Sequence, residues 1–391
     1  MKKRKKLHLI IDASCLFNSH YSGVENFTLF FLRELDAQAR CGNFSYDLLI
    51  KRSGERTIAN LGLKNYRALK TNYLPLGVIK ALSMLCLPLP FDCFFGKGYY
   101  YFPSYTFFPV MFNPYALVIH DHTYLQYPQA VSFKLRTRLR WSLGYYLRHS
   151  RQIFAVAAYT RLGFPQFYGI GKSRVVVTSP AVDSTHFYPR SQKQVSQLRR
   201  KYHLGSQPYL LVLGNIEPKK NLRRVIAAYR QLSKRLIKQY NLLLVGDNAW
   251  HHQEILQDIA KAQKDGLPVK LLLGKIAHQD IPTLLTGAKA LVFASLYEGF
   301  CMPPMEAYAC GTPVIASNFG SSDEAIGKAA VARFNPYQVG AITTAMAKVI
   351  ALKKEQLAVY QRLMKAHIAQ HTWQHTVATT LASCRASLRK T

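Results

Sequence analysis

Short apolar runs alternate along the chain with stretches in which apolar positions recur at helical spacing. In the first half the runs fall at Leu7–Ile11, Tyr46–Ile50, Tyr115–Ile119, Gln152–Val156 and Arg174–Thr178. In the second they fall at Tyr209–Leu213, Asn241–Val245, Val269–Leu273, Ala290–Ala294 and Pro313–Ala316. Runs of this length predict strands, and the intervening segments predict crossover helices, as with Phe27, Phe30, Phe31 and Leu35 on one helical face. Strand and helix in regular alternation predict an α/β protein with parallel sheets. A polar, basic stretch from Pro189 to Pro208 separates the two series. We therefore expect domains at residues 1–188 and 189–365, followed by a tail helix over 366–391. There is no fixed-period repeat and no low-complexity tract.

Length agrees with this division, since 391 residues exceed the usual size of one compact core. Charge adds a feature that the pattern does not contain. Against 20 acidic residues stand 52 Lys and Arg, a formal net charge of +32. Such a field favours anionic partners: nucleic acid, acidic lipid or phosphate-bearing substrates. From Thr57 to Val182 the only acids are Asp92 and Asp121, so the first half carries a large excess. Cys15, Cys41, Cys86, Cys93, Cys301, Cys310 and Cys384 are odd in number and never spaced C-x-x-C. They read as free thiols of a reducing compartment rather than as a disulfide framework or a zinc site. Met1–Lys6 is basic, but the apolar run behind it ends at Asp12, too short for an export segment. No stretch approaches the roughly 20 apolar residues of a spanning helix, and the most apolar region, Leu74 to Phe95, is broken by prolines, Lys80 and Asp92.

The chemistry concentrates between residues 209 and 318. After the strand ending near Ser295 comes Leu296-Tyr297-Glu298-Gly299-Phe300-Cys301-Met302-Pro303-Pro304-Met305-Glu306, and the next strand is reached through Gly311. A proline here presets a first helical turn and Gly311 suits a helix end. Ligands of open parallel sheets bind beyond the carboxyl ends of strands, which puts Glu298 on that rim. Either glutamate alone fits a dipole or capping partner equally well. Two of them around a Gly-Phe turn with backbone N–H groups to offer make a better receptor, for sugar hydroxyls, ribose hydroxyls and phosphate at the helix start. A second block, Leu213-Gly214-Asn215-Ile216-Glu217-Pro218-Lys219-Lys220-Asn221, ends a strand at glycine and places lysines where they can neutralise a diphosphate.

The Glu298-to-Glu306 segment resembles the E-x7-E region of retaining glycosyltransferases of family four, which share the GT-B fold: two Rossmann-like domains facing each other across a cleft. The Glu-Pro-Lys-Lys-Asn phrase is similar to a signature of the same family. The resemblance implies that Glu298 contacts the donor sugar and Glu306 the nucleotide ribose. The backbone of Phe300, Cys301 and Met302 and the glycine Gly214 then belong to the donor site, and Lys220 is the phosphate lysine. It further implies that the loop at Ile276 meets the base and that Gly23, opening a helix, lets backbone approach the donor phosphate. His120, in a His120-Asp121 pair after the strand Tyr115–Ile119, would stand close to the reacting sugar; by itself it reads equally as a histidine satisfied at a strand end. Two departures stand out: Cys301 replaces a usual glycine and Pro304 a usual aliphatic residue. Asn215 also stands where many relatives carry an arginine, so a second cation is unassigned.

The resemblance thus implies a retaining, metal-independent transferase, moving a hexose from a nucleotide-diphosphate sugar to a glycan or lipid-linked acceptor in cell-surface polysaccharide or glycolipid synthesis. A mannose-type donor is the mild preference. No cofactor beyond that donor is expected, there is no D-x-D pair for a metal, and the tail helix with Trp373 should cross back to the first domain. The rivals are a nucleotide-sugar epimerase of the same fold and a basic nucleic-acid-binding protein; the latter lacks any recognition-module signature. Residues 131–151 are strongly basic, with Leu135, Leu139 and Tyr146 on one stripe and Lys134, Arg136, Arg138, Arg140 and Arg148 beside it. Two readings fit. The helix either rests on an anionic membrane, placing the protein peripherally on the cytoplasmic face, or packs on the first sheet with a basic outer surface.

Overall fold

The computed structural model describes residues 6–17, 23–40, 42–51, 55–72, 76–249 and 251–389. The basic start at residues 1–5, and Cys41, lie outside them. The described chain forms two units. The first comprises the chain through Gln126, Phe133–Pro180, and the segment from Trp373 onward; the second comprises Tyr127–Ser132 and Ala181–Thr372.

The first unit holds strands β1 (Leu7–Asp12), β2 (Phe44–Lys51), β3 (Leu69–Asn72), β4 (Tyr99–Phe102), β5 (Tyr115–Ile119), β6 (Gln152–Ala155) and β7 (Val175–Val177). They form one parallel sheet in the order β3-β2-β1-β4-β5-β6-β7. Two of these strands escape the sequence pattern. Strand β3 is an edge strand of half-buried residues, with no apolar run to announce it. Strand β4 is Tyr-Tyr-Tyr-Phe, buried throughout at the sheet centre. Two of the three tyrosine hydroxyls find partners: Tyr100 donates to the carbonyls of Asp92 and Gly96, and Tyr99 pairs with Ser387. The last helix, Trp373–Ser387, packs on this unit. Trp373 meets Phe27 and Phe30 of helix α1 (Gly23–Ala39) at ring-centroid distances of 5.5 and 6.0 Å.

The second unit holds β8 (Tyr209–Leu213), β9 (Asn241–Gly246), β10 (Val269–Leu273), β11 (Ala290–Phe293), β12 (Val314–Ser317) and β13 (Ala332–Phe334). All pair in parallel, in the order β10-β9-β8-β11-β12-β13. The short edge strand β13 was also illegible as a run. Along β8, Leu210 and Val212 enter one core while Tyr209 and Leu211 enter the core on the opposite face. Helices therefore cover both sides, which is why the strand reads as continuously apolar.

Helix α2 (Phe133–His149) turns Leu139, Leu143, Tyr146 and Leu147 inward. Arg138 is buried with them, donating to the Tyr105 carbonyl at 2.8 Å with its guanidinium over the Phe107 ring. The stripe of Leu139 and Tyr146 thus belongs to the core, and the outer face carries Phe133, Lys134, Thr137, Arg140, Trp141 and Arg148. Six cysteines are described and all are free thiols. Among the described residues no helix is long and apolar enough to cross a membrane.

Candidate functional site

In the second sheet the chain runs outward from β8 to β9 and β10, then returns to place β11 on the other side of β8. The helices that follow β8 and β11 pack on opposite faces, and a doubly wound sheet opens a crevice at this switch point. Both sequence blocks emerge here. After β8 comes Gly214, then a tight turn over Pro218–Lys220, then Asn221 in the left-handed region, from which helix α3 (Leu222–Arg230) starts. Asn221 holds that conformation by donating its side-chain amide to the Pro336 carbonyl at 2.7 Å. After β11 the chain passes Glu298 and enters helix α4 (Met302–Ala309).

The two loops are fastened together. The Leu296 amide donates to the Lys219 carbonyl at 2.7 Å, and the Lys220 ammonium donates to Glu298 Oε1 at 2.6 Å. Lys219 Nζ lies 3.5 Å from Glu298 Oε2 and 3.6 Å from Glu217 Oε1. On the far side Ser321, in helix α5 (Gly320–Ile326), donates its hydroxyl to the Glu298 carbonyl at 2.5 Å. Burial alone pushes the Glu298 carboxyl up; Lys219 and Lys220, with hydrogen bonds from Lys220 and Ser295, outweigh it and hold the group down at about 2. Glu217 goes the other way, raised because burial outweighs the same lysines. Two ammonium groups thus converge on one carboxylate at a strand rim and favour its ionised form.

Glycine is required behind this cluster. Gly214 has φ of 143°, and a β-carbon there would meet Lys220 Cε at 3.2 Å. At Gly246, on the neighbouring end of β9, a β-carbon would lie 1.9 Å from the Gly214 carbonyl oxygen. Only two bare backbones pass this closely.

The other expected residues distribute unevenly. Phe300 is half-buried with its ring 5.9 Å from that of His371. Cys301 is fully buried among core side chains, its sulfur 4.0 Å from Ser321 Oγ, and Met302 opens α4. Glu306 lies further along α4, makes no ion pair with any described residue, and is pushed up to about 7 by burial. The two glutamates are thus electrostatic opposites. Ile276 sits beyond β10, two strands from β8, half-buried against the core.

In the first unit His120 follows the carboxyl end of β5. Its Nε2–H donates to the Pro103 carbonyl at 2.7 Å, and the ring stands edge-on to Phe27 at 5.2 Å. Burial lowers its pKa against the pull of that carbonyl, which favours the neutral ring. Asp121 caps the following turn, accepting from the Thr123 amide at 2.8 Å. Gly23 begins α1, and a β-carbon there would touch nothing within 4 Å, so packing of the described residues does not demand glycine. Lys219 and Glu217 are the participants that sequence reasoning missed. The Lys-Lys pair was visible, but which lysine faces Glu298 depends on the turn before Asn221.

Residues 195–365 match the family described as glycosyl transferases group 1. The chain is 30% identical over 250 residues, 63% of its length, to the O-antigen chain mannosyltransferase B of Escherichia coli, and spans 64% of that protein. It is 34% identical over 219 residues, 55% of its length, to the serotype-specific mannosyltransferase WbdA of Escherichia coli, spanning 26% of it. The chain therefore covers less than two thirds of either relative. In three dimensions it is similar to HepE of Anabaena, crystallised in complex with UDP and glucose: TM-score 0.72 at 18% identity, over 96% of this chain and 100% of that one. With its two doubly wound parallel sheets, the chain has the GT-B fold.

Proposed function

We propose that this protein is a retaining glycosyltransferase, moving a hexosyl group from a nucleoside-diphosphate sugar to a glycan or lipid-linked acceptor of cell-surface polysaccharide on the cytoplasmic side. The observation that carries the reading is the Lys219–Lys220–Glu298 cluster at the switch point of the second sheet, inside the segment that matches the group 1 family. A mannose-type donor is favoured by the two mannosyltransferase relatives.

In this reading Lys219 and Lys220 take the donor's diphosphate, and Lys219 supplies the second cation that Asn215 does not. Glu298, released from the lysines as phosphate replaces it, accepts hydroxyls of the sugar, and Glu306 those of the ribose. The bond from the anomeric carbon to the diphosphate oxygen breaks while the bond to the acceptor oxygen forms on the same face. The acceptor's proton passes to the departing diphosphate, whose added charge the two ammonium groups stabilise. No covalent nucleophile, cofactor or divalent cation takes part in this scheme.

The test is incubation with radiolabelled GDP-mannose and UDP-glucose, each with a bacterial lipid and glycan extract. Label appearing in an extractable lipid or polymer supports transfer. Conversion of the donor's sugar without an acceptor would assign an epimerase, and no chemistry with any donor would overturn the reading.

A further inference from the structure

The first unit exposes several large apolar side chains close to its basic surface. Phe94 is 80% exposed, Trp141 69% and Phe112 65%, with Leu85, Leu87, Met111 and Phe133 also open. They are joined locally. The Trp141 indole donates to the Met84 carbonyl at 2.9 Å, and the Cys86 thiol reaches the Trp141 carbonyl at 3.8 Å, which seats Leu85 and Leu87 beside helix α2. The same segment runs on to Phe94. There the Asp92 carboxylate accepts the amides of Met111, Phe112 and Asn113 at 3.2, 2.8 and 2.9 Å, binding the Phe112 loop to the Phe94 turn. Such a set of open apolar tips on one local structure marks an interaction site rather than ordinary surface.

Charge selects the partner. Lys97, Lys134, Arg140 and Arg148 are exposed around these tips. The two acids between residues 57 and 182 are both spent: Asp92 is fully buried on its amides, and Asp121 caps the turn at Thr123. Leu85, Leu87 and Met111 offer no face for bases to stack on, whereas they and the aromatic tips alike insert among acyl chains below a layer of cations. We propose that this face docks on an anionic phospholipid bilayer, with Leu85, Leu87, Phe94, Phe112 and Trp141 entering the headgroup layer and Lys134, Arg140 and Arg148 pairing with lipid phosphates. Helix α2 leaves the carboxyl-end rim that carries His120 and returns to the start of β6, so Phe133 brings the surface up to that rim. The apolar stripe Leu139–Tyr146 has no part in it, being turned inward.

The experiment is co-sedimentation of the full chain with vesicles of phosphatidylcholine alone or mixed in equal parts with phosphatidylglycerol. Binding is expected only with the anionic lipid and should weaken with salt. Each basic residue removed should cost about five-fold in partitioning, so Lys134→Gln, Arg140→Gln and Arg148→Gln together should lose on the order of 100-fold. Phe94→Ser with Phe112→Ser should reduce binding comparably, with thermal midpoints unchanged in both variants. Vesicles should shift tryptophan emission to the blue, and Trp141→Phe should abolish the shift. Binding to neutral vesicles alone, no binding, or a blue shift surviving in Trp141→Phe overturns the proposal. So does wild-type affinity in the Phe94/Phe112 variant, which would leave only diffuse attraction. Concentration-dependent dimerisation lost in that variant would give the face to a second copy instead. Since lipid binding alone is read, the result stands apart from whether the protein transfers sugar.

Discussion

Lys220 Nζ and Glu298 Oε1 stand 2.6 Å apart, although 78 residues separate them in sequence. They meet because β8 and β11 are neighbours in the sheet. The pair is largely buried and Lys219 shares it, so the carboxylate stays ionised at every physiological pH. In the proposed reading a diphosphate competes with Glu298 for the ammonium groups, which would couple donor binding to the release of a carboxylate.

Removing either partner should therefore disable transfer while leaving the fold. Lys220→Ala and Glu298→Ala are each expected to lower turnover on the order of 100-fold or more. Circular dichroism should match wild type. Near-normal transfer by both folded variants would remove these residues from the donor site.

Lys219 should behave as the second cation. Lys219→Ala is expected to weaken nucleoside-diphosphate binding about ten-fold, and Lys219→Arg should restore most of it. Calorimetric titration with GDP and UDP checks this. Unchanged affinity in the alanine variant would confine Lys219 to its contacts with Glu217 and Glu298.

Glu306 provides a pH signature. Its carboxyl is raised from 4.5 to about 7, so the folded state holds a proton that the unfolded chain releases earlier. Stability from this group is full below about pH 4.5, declines as pH rises to about 7, and is flat beyond. Glu306→Gln should thus leave stability near wild type at pH 4.5. At pH 8 it should gain up to the order of 3 kcal/mol, read from urea midpoints. A constant difference across that range would show that the carboxyl titrates normally.

The close passage at Gly246 should be intolerant of any side chain. Gly246→Ala forces apart the ends of β8 and β9 and with them the turn carrying Lys219 and Lys220. A loss of about 2–3 kcal/mol or more is expected, with an unchanged urea slope. A neutral effect would mean that Gly214 moves aside freely.

Metal independence follows from assigning diphosphate neutralisation to lysine. Transfer should continue in excess chelator; loss with chelator and recovery with manganese or magnesium would reassign that role to a cation.

Ten of the thirteen described strands were legible as apolar runs, because parallel strands buried on both faces leave that trace. Strands β3 and β13 are short and lie at the sheet edges with little apolar content, and β4 is written almost wholly in tyrosines, whose polar hydroxyls do not mark a buried strand. Residues 131–151 show a similar limit. Their periodicity revealed an amphipathic helix, but a stripe of leucines looks the same whether it meets a core or a lipid. Packing turned it inward, took Arg138 with it, and left Phe133 and Trp141 outside.

By itself the sequence determined the α/β alternation, the strand-end position of Lys220 and Glu298, and the basic excess of the first half, all properties of local pattern and composition. It could not decide that Lys219 shares Glu298, that the thiol of Cys301 is sealed in the core, or that Glu306 meets no ionic partner among the described residues. Those facts depend on which strands are neighbours and on a left-handed residue at Asn221. Strand order and turn geometry are settled by contacts between residues far apart in the chain, and only the folded arrangement contains them.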